Sequence, residues 1–269
     1  MVTLIIAVLF GLGGFAAARY GIDAGMGWSV FDGIVAFLAF QAASGFAIQR
    51  RVKADMAKVQ AILEAGQNKL RQKMQRWQMR PPGSIQAAQK EIAEDTKVFV
   101  REALEQTEAL RRYRLWVPLM ERQIATAQLQ LNWMVKDFKA VDRLMPQALF
   151  VDPTMAAIKI ARLYMTDGDV NEMKKIYSKA AARTKYNGNV LLAAEMSWIE
   201  VKKGDLDGAF KTLTEALKKS DNETLKRNHE CLMNNRPGHF SNSGIGDQWY
   251  SLLLEEPKVR AQRQRFAYR

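Results

Sequence analysis

Two clusters of residues near the C-terminal end have the types that do chemistry. Gly244-Ile245-Gly246-Asp247 sets two glycines beside a carboxylate, a combination found in loops that cradle phosphate or a cation. His229 and Cys231, with His239 eight positions on, are the remaining candidates for metal ligation. Neither cluster is complete. A dinucleotide or P-loop site needs a preceding strand and either a third glycine or a phosphate-binding lysine, and none is present. Zinc takes four protein ligands in structural sites, or three and a water in catalytic ones, and this chain has one Cys and two His in all. No nucleophile elbow occurs either. The expectation is therefore a protein without catalysis, cofactor or metal. The lone Cys231 also excludes an internal disulfide and fits a reducing compartment.

The rest of the 240–257 stretch, with Phe240, Trp249, Tyr250 and three consecutive leucines, is apolar material suited to packing. What it packs on is set by the elements before it.

The first 48 residues carry only Arg19, Asp23 and Asp32 as formal charges. Residues 2–18 form an uncharged apolar run, and residues 28–48 form a second, interrupted by Asp32 and Gln41. Each is long enough to be a candidate membrane span, the first at the short end of the range. A cleaved signal peptide is the rival reading for the first run, because Ala16-Ala17-Ala18 resembles a cleavage site. Met1-Val2-Thr3 lacks the basic n-region of such signals, so a transmembrane hairpin over residues 1–48 is favoured. Small residues on both runs, among them Gly11, Gly14, Ala39 and Ala43, allow close helix approach. Asp32 and Gln41 are polar groups within the second run. Asp32 lies within a turn of Trp28, at the expected interface with water.

The net charge of +12 is localised. Residues 49–80 have nine basic and two acidic side chains, and residues 258–269 have five basic and none acidic, which together equal the whole excess. Arg50, Arg51, Lys53 and Lys58 directly follow the second run, so they mark its cytoplasmic end and suit contact with anionic lipid. Both termini are then expected in the cytoplasm, with a bacterial inner membrane as the setting. No nucleic-acid module accompanies the basic tail, so nucleic acid is not favoured as a partner.

From residue 49 to 80 the apolar positions Val52, Met56, Val59, Leu63, Leu70, Met74 and Trp77 recur mostly in steps of three and four, with Gly66 occupying one seam position. This is an imperfect heptad stripe that packs on its own domain or pairs with a second copy, giving a homo-oligomer. Pro81-Pro82-Gly83 should end that helix and Ser84 cap the next. Residues 84–121 read as one amphipathic connecting helix, with Ile85, Ala88, Ile92, Phe99, Ala103, Leu110 and Tyr113 on its apolar face and Pro118 at its end. No segment alternates as a strand does, so the fold class is all-α.

Residues 163–184 and 199–220 repeat one another. Gly168-Asp169-Val170 precedes Gly204-Asp205-Leu206 by 36 positions, Tyr177 aligns with Leu213, and Ala180 aligns with Ala216. The pattern is helix, Gly-Asp turn, helix. The glycine lets the chain reverse, and the Asp caps the second helix. The period and grammar resemble the tetratricopeptide repeat. Units fall at 122–153, 154–189 and 190–223. The third fits best, through Gly204, Asp205, Ala209, Leu213 and Ala216. The second has Met173 where a small residue is expected, and the first has Lys136-Asp137-Phe138 at its turn.

The resemblance implies an α-solenoid over 122–235, closed by a short helix, with residues 236–269 as a packing segment and basic tail. It further implies a concave groove that binds a protein partner. Gln130 and Trp133 would face this groove from the first unit, and Met155, Ile158, Arg162 and Met165 from the second. Leu191, Ala194, Trp198, Val201 and Lys202 would do so from the third. The positions at which some members clamp a terminal carboxylate hold Thr126, Ile158, Arg162 and Ala194, so that clamp is not expected. The functional expectation is a membrane-anchored scaffold or adaptor. Its rivals are a structural subunit assembled through the hairpin, and an electrostatic tether to lipid or nucleic acid. The 240–257 stretch is expected to fold back on the repeats, as an end cap or inside the groove.

Overall fold

The computed structural model describes residues 2–80, 83–184 and 189–257, without the side chains of Gln78 and Ile85. The Pro81-Pro82 break, the Ile85 position of the apolar stripe and the basic tail 258–269 lie outside the described residues. Among those described there is no strand, and the chain is all-α. It divides into two compact units, Met1–Ala148 and Leu149–Arg269.

In the first unit α1 (Val2–Ala16) runs into a π-turn over Ala17–Gly21, and α2 (Met26–Met79) follows. The two pack antiparallel. Gly11 lies against the Gly33 carbonyl and Phe37, Gly14 lies against Ala36, and the rings of Phe10 and Phe40 stack at 4.5 Å. A Cβ at Gly33 would meet the Gly11 carbonyl at 2.9 Å, so glycine is what permits this approach.

Nothing interrupts α2 for 54 residues, a length of about 81 Å at 1.5 Å per residue. The second apolar run and the basic stripe are therefore one rod. Its later part packs on α3 (Ile85–Glu108), which Ser84 caps by accepting from the Ala87 amide at 3.0 Å. The shared core is Val59, Phe99, Val100, Ala103 and Leu131, flanked by Ile62, Leu63 and Leu70. Gly66 sits under the Phe99 ring, which a Cβ would strike. Lys73 bridges the helices to Glu91, at 2.6 Å, and to Asp95.

The connecting helix does not reach Pro118. It ends at Glu108 and tightens into a 3₁₀ turn over Ala109–Tyr113. The cause is Asp55 on α2. Its buried carboxylate accepts from Arg112, and from the Tyr113 hydroxyl at 2.8 Å, and so draws this turn onto α2. Leu119, at φ 63°, then opens α4 (Met120–Met134), and α5 (Phe138–Leu144) follows.

The second unit holds α6 (Pro153–Met165), α7 (Val170–Arg183), α8 (Val190–Lys202), α9 (Leu206–Leu217), α10 (Glu223–Met233) and the short α11 (Asp247–Tyr250). Across the two units, α4, α6, α8 and α10 end in the same way. Lys136, Asp167, Gly204 and Asn235 have φ of 59°, 51°, 83° and 50°. In each case the next amide bonds back five residues, as in Asp137 to Asn132, Gly168 to Leu163, Asp205 to Glu200 and Arg236 to Cys231. These are Schellman turns. Asp137, Asp169 and Asp205 then cap the following helices.

The reversing residue in the second turn is Asp167, not Gly168. That turn carries one extra residue between the left-handed position and the cap, so the Gly-Asp pairs align in sequence but not in role. Met173, at the position of Ala209, is completely buried, as Ala209 is.

Replacing Gly66 with Ala should push the new methyl into Phe99 and destabilise the α2–α3 core by about 1–3 kcal/mol. Adding Phe99→Leu should recover part of that loss. Denaturant melts of the purified protein in detergent micelles would check both, and an unchanged melt for Gly66→Ala would contradict the close approach.

Candidate functional site

Each unit carries part of what the sequence assigned to a groove. Gln130 and Trp133 belong to the first unit, where Gln130 is exposed and Trp133 is buried with its ring edge-on to Phe138 at 5.6 Å. The remaining positions belong to the second. Met155, Ile158, Ala194 and Trp198 are buried there, Arg162, Met165, Leu191 and Val201 are half-buried, and Lys202 is exposed. The buried members are core rather than a free surface, because a partner reaches them only by displacing what covers them. For Ala194 and Trp198 the cover is the chain's own C-terminal segment.

That segment is anchored at three levels. Asn242, fully buried, donates to the Ala194 carbonyl of α8 at 2.8 Å and accepts from Asn228 of α10 at 2.8 Å. Phe240 and Ile245 pack on Ala193, Ala194, Leu213, Ala216 and Leu225. Trp249, fully buried, sets its ring edge-on to Trp198 at 5.6 Å. The Glu255 carboxylate closes the arrangement, accepting from the Trp198 and Trp249 indole N–H groups at 2.9 Å each. Trp198 is further packed by Tyr164 at 5.3 Å, with Lys202 over its face at 5.2 Å. The Gly244–Asp247 sequence serves this packing. Gly246, at φ 75°, makes the turn into α11, and Gly244 lies against Thr224.

The Cys and His candidates are not brought together as ligands. His229 stacks on Phe210 at 4.4 Å and shares a hydrogen bond with Thr214 at 3.0 Å. Cys231 and His239 line a shallow, open, polar depression with Arg227, Glu230 and Arg236. Among the described residues no group of three or more His, Cys, Asp or Glu is placed to hold a metal ion.

Two acids on α8 went unnoticed in the sequence. Glu200 is almost wholly buried, accepting from Thr212 at 2.8 Å and paired with Lys174 at 3.2 Å. Burial raises its pKa more than these partners lower it. Lys174 also meets Asp205 at 2.8 Å, and the two acids raise its own pKa, Asp205 most. Tyr177 is pushed up to about 12, by burial first and by Glu200 second.

Glu195 is fully buried, and neither carboxylate oxygen has a hydrogen-bond partner among the described residues. Burial drives its pKa well above the usual range. The nearby Ala161 amide opposes this slightly, without making a hydrogen bond of normal geometry. Nothing local distinguished these acids in sequence, since every residue of α8 from Leu192 to Glu200 is buried and no single face sets them apart.

On the first unit, Arg50, Arg51 and Lys53 are exposed on α2, and Lys58 is exposed while pairing with Asp55 at 2.9 Å. Lys58, then Arg112, hold the Asp55 carboxyl well below the usual carboxylate range. Two helices, over Val2–Gly21 and Met26–Trp77, are long and apolar enough to cross a membrane. Their apolar side chains are largely outward. Leu9 is 62% exposed, Phe46 is 71% exposed, and Ile5, Leu12, Phe31, Ile34 and Leu38 are also exposed. Gln41 keeps a buried side-chain carbonyl oxygen without a hydrogen-bond partner among the described residues.

No protein-family model matches the chain, and no characterised protein or solved structure matches it at a significant level.

Glu195 gives a signed pH dependence. A carboxyl whose folded pKa is raised contributes most at low pH. As pH climbs past about 4.5, the unfolded chain loses its proton first and stability falls until the folded pKa is reached. Glu195→Gln should therefore flatten the decline in stability between pH 5 and pH 8, leaving the smaller slope due to Glu200. Chemical denaturation at several pH values reads this directly. Equal slopes in the two proteins would contradict it.

Proposed function

We propose that this protein is a membrane-anchored helical-repeat scaffold of the tetratricopeptide type. In this reading α1 and residues 26–48 of α2 cross a bacterial inner membrane as a hairpin, and the remainder stands on the cytoplasmic side. The observation that carries it is the exposed apolar surface of α1 and early α2, far larger than a soluble monomer tolerates. The basic residues Arg50, Arg51 and Lys53, placed where that surface stops, support the orientation. Four Schellman turns closing α4, α6, α8 and α10 support a repeat architecture.

The scaffold binds a protein partner through what remains accessible of the groove positions: Gln130 on the first unit, and on the second Lys202 with the half-buried Arg162, Met165, Leu191 and Val201. The Trp198 face becomes available only when the Glu255 clasp opens. That same clasp favours a second reading, in which the helical units are closed modules and assembly with other membrane subunits runs through the spans.

One experiment tests the anchor and separates the two readings. The protein should stay in the membrane pellet after alkaline carbonate extraction, and protease added outside intact spheroplasts should leave the helical units uncut. Photocrosslinkers at Gln130 and Lys202 should give discrete adducts in whole membranes if the scaffold reading holds. Adducts from a crosslinker at Phe46 alone would favour assembly through the spans. Release by carbonate would sink both.

A further inference from the structure

The 3₁₀ turn after α3 and the loop behind it have features that the fold does not use. Residues 114–119 read Arg-Leu-Trp-Val-Pro-Leu. Leu115 is 55% exposed, Leu119 is 57% exposed, and Trp116 is exposed between them. Three large apolar side chains presented from one short loop are unusual in a surface facing only water. Leu119 has a left-handed backbone, a conformation unfavourable for a residue with a β-carbon.

The position of this loop within the first unit is fixed by two contacts. The Val2 amide, at the very start of α1, donates to the Leu115 carbonyl at 3.1 Å. Behind the loop, Leu110, Tyr113, Met120 and Ile124 pack on Ile48, Val52 and Met56, which is where the apolar part of α2 gives way to its basic part. The loop therefore sits level with the ends of both apolar helices. The Asp55 pairing with Arg112 and Tyr113 holds it there.

Its charge is predominantly basic. Between residues 108 and 122 stand four arginines, Arg111, Arg112, Arg114 and Arg122, against Glu108 and Glu121. Arg112 is engaged by Asp55, and Arg111 by Glu108 at 2.8 Å. Arg114 is exposed beside Trp116, and Arg50 and Arg51 are exposed on α2 at the same level.

We infer that residues 114–119 are a third membrane contact, an interfacial wedge seated in the headgroup region of an anionic bilayer. The inference rests on the anchor reading above. Tryptophan suits this site because its ring is apolar while its N–H stays hydrated, and it concentrates at membrane interfaces for that reason. The leucines enter the acyl boundary, and the arginines meet lipid phosphates. The turn at Ala109–Tyr113, drawn onto α2 by Asp55, brings the following loop to the level of Val2. With two helices crossing and one loop resting on the surface, the first unit is held against the bilayer at three places, so its freedom to tilt is reduced.

The test places an environment-sensitive fluorophore at Leu119→Cys, in a Cys231→Ser background, in nanodiscs containing phosphatidylglycerol. A second protein carries the label at Val35→Cys within the apolar part of α2. Nitroxide lipids quench either from the headgroup or from deep in the acyl chain. The Leu119 probe should emit to the blue and be quenched more by headgroup nitroxide than by deep nitroxide, while the Val35 probe shows the reverse order. Arg114→Glu, or replacement of the anionic lipid by phosphatidylcholine, should shift the Leu119 probe back toward its emission in water. A deeply quenched Val35 probe with an unquenched Leu119 probe overturns the wedge and leaves the anchor standing. Two unquenched probes overturn both. Labelling at Leu115→Cys repeats the measurement should Leu119→Cys fail to fold, with the same outcomes.

Discussion

A helix that is apolar on most of its faces at one end and amphipathic at the other needs two different surroundings, and α2 joins them without a break. Its 54 residues leave no flexible joint between the exposed apolar segment and the core formed with α3. Every other feature of the first unit answers to this. Gly11, Gly14 and Gly33 allow α1 to lie close along the apolar end. Gly66 allows Phe99 to do the same at the other end. Asp55, about midway, gathers Lys58, Arg112 and Tyr113 and fixes the corner after α3 at the point where the helix changes character. A rod of this kind transmits position: whatever holds the apolar end also sets the height and tilt of the packed end.

The second unit follows a different economy, based on buried polar groups. Its helix pairs are terminated by backbone geometry and capped by aspartates, and its C-terminal segment is held by an amide pair and a carboxylate shared by two indoles. Such contacts are directional, and a half-made set is worse than none, so they favour one docked arrangement of residues 240–257 over sliding alternatives. Glu195 is the exception. A carboxyl without a partner inside the same helix costs stability as pH rises, and no contact it makes among the described residues offsets that.

Much of this was legible in the sequence. Apolar runs, caps and the 36-residue echo gave the helices, because these signals depend on nearest neighbours along the chain. What was not legible depended on contacts distant in sequence. The break at Glu108 is caused by Asp55, more than fifty positions earlier, whereas Pro118 was the only local stop signal. The reversal at Asp167 was hidden because Gly168 stood next to it and glycine is the usual left-handed residue. Lys136, which the repeat put at a turn, adopts the same conformation without a glycine to signal it, and it makes the first turn match the third. Trp198 and Ile158 were placed on a binding face by the resemblance to the tetratricopeptide repeat, which implies a face but not whether the chain covers it. Glu255, which covers it, lies 57 residues beyond Trp198.

The continuity of α2 across the change from apolar to amphipathic is the claim on which the rest stands, and a distance measures it. Spin labels at Val35→Cys and Gln75→Cys, in a Cys231→Ser background in lipid nanodiscs, are separated by forty residues of one helix. Double electron–electron resonance should give a single narrow distribution centred near about 60 Å, the rise of an unbroken α-helix over that interval. A broad distribution, or one centred well below that distance, would mean that the helix bends or breaks where the basic residues begin, and would contradict the account.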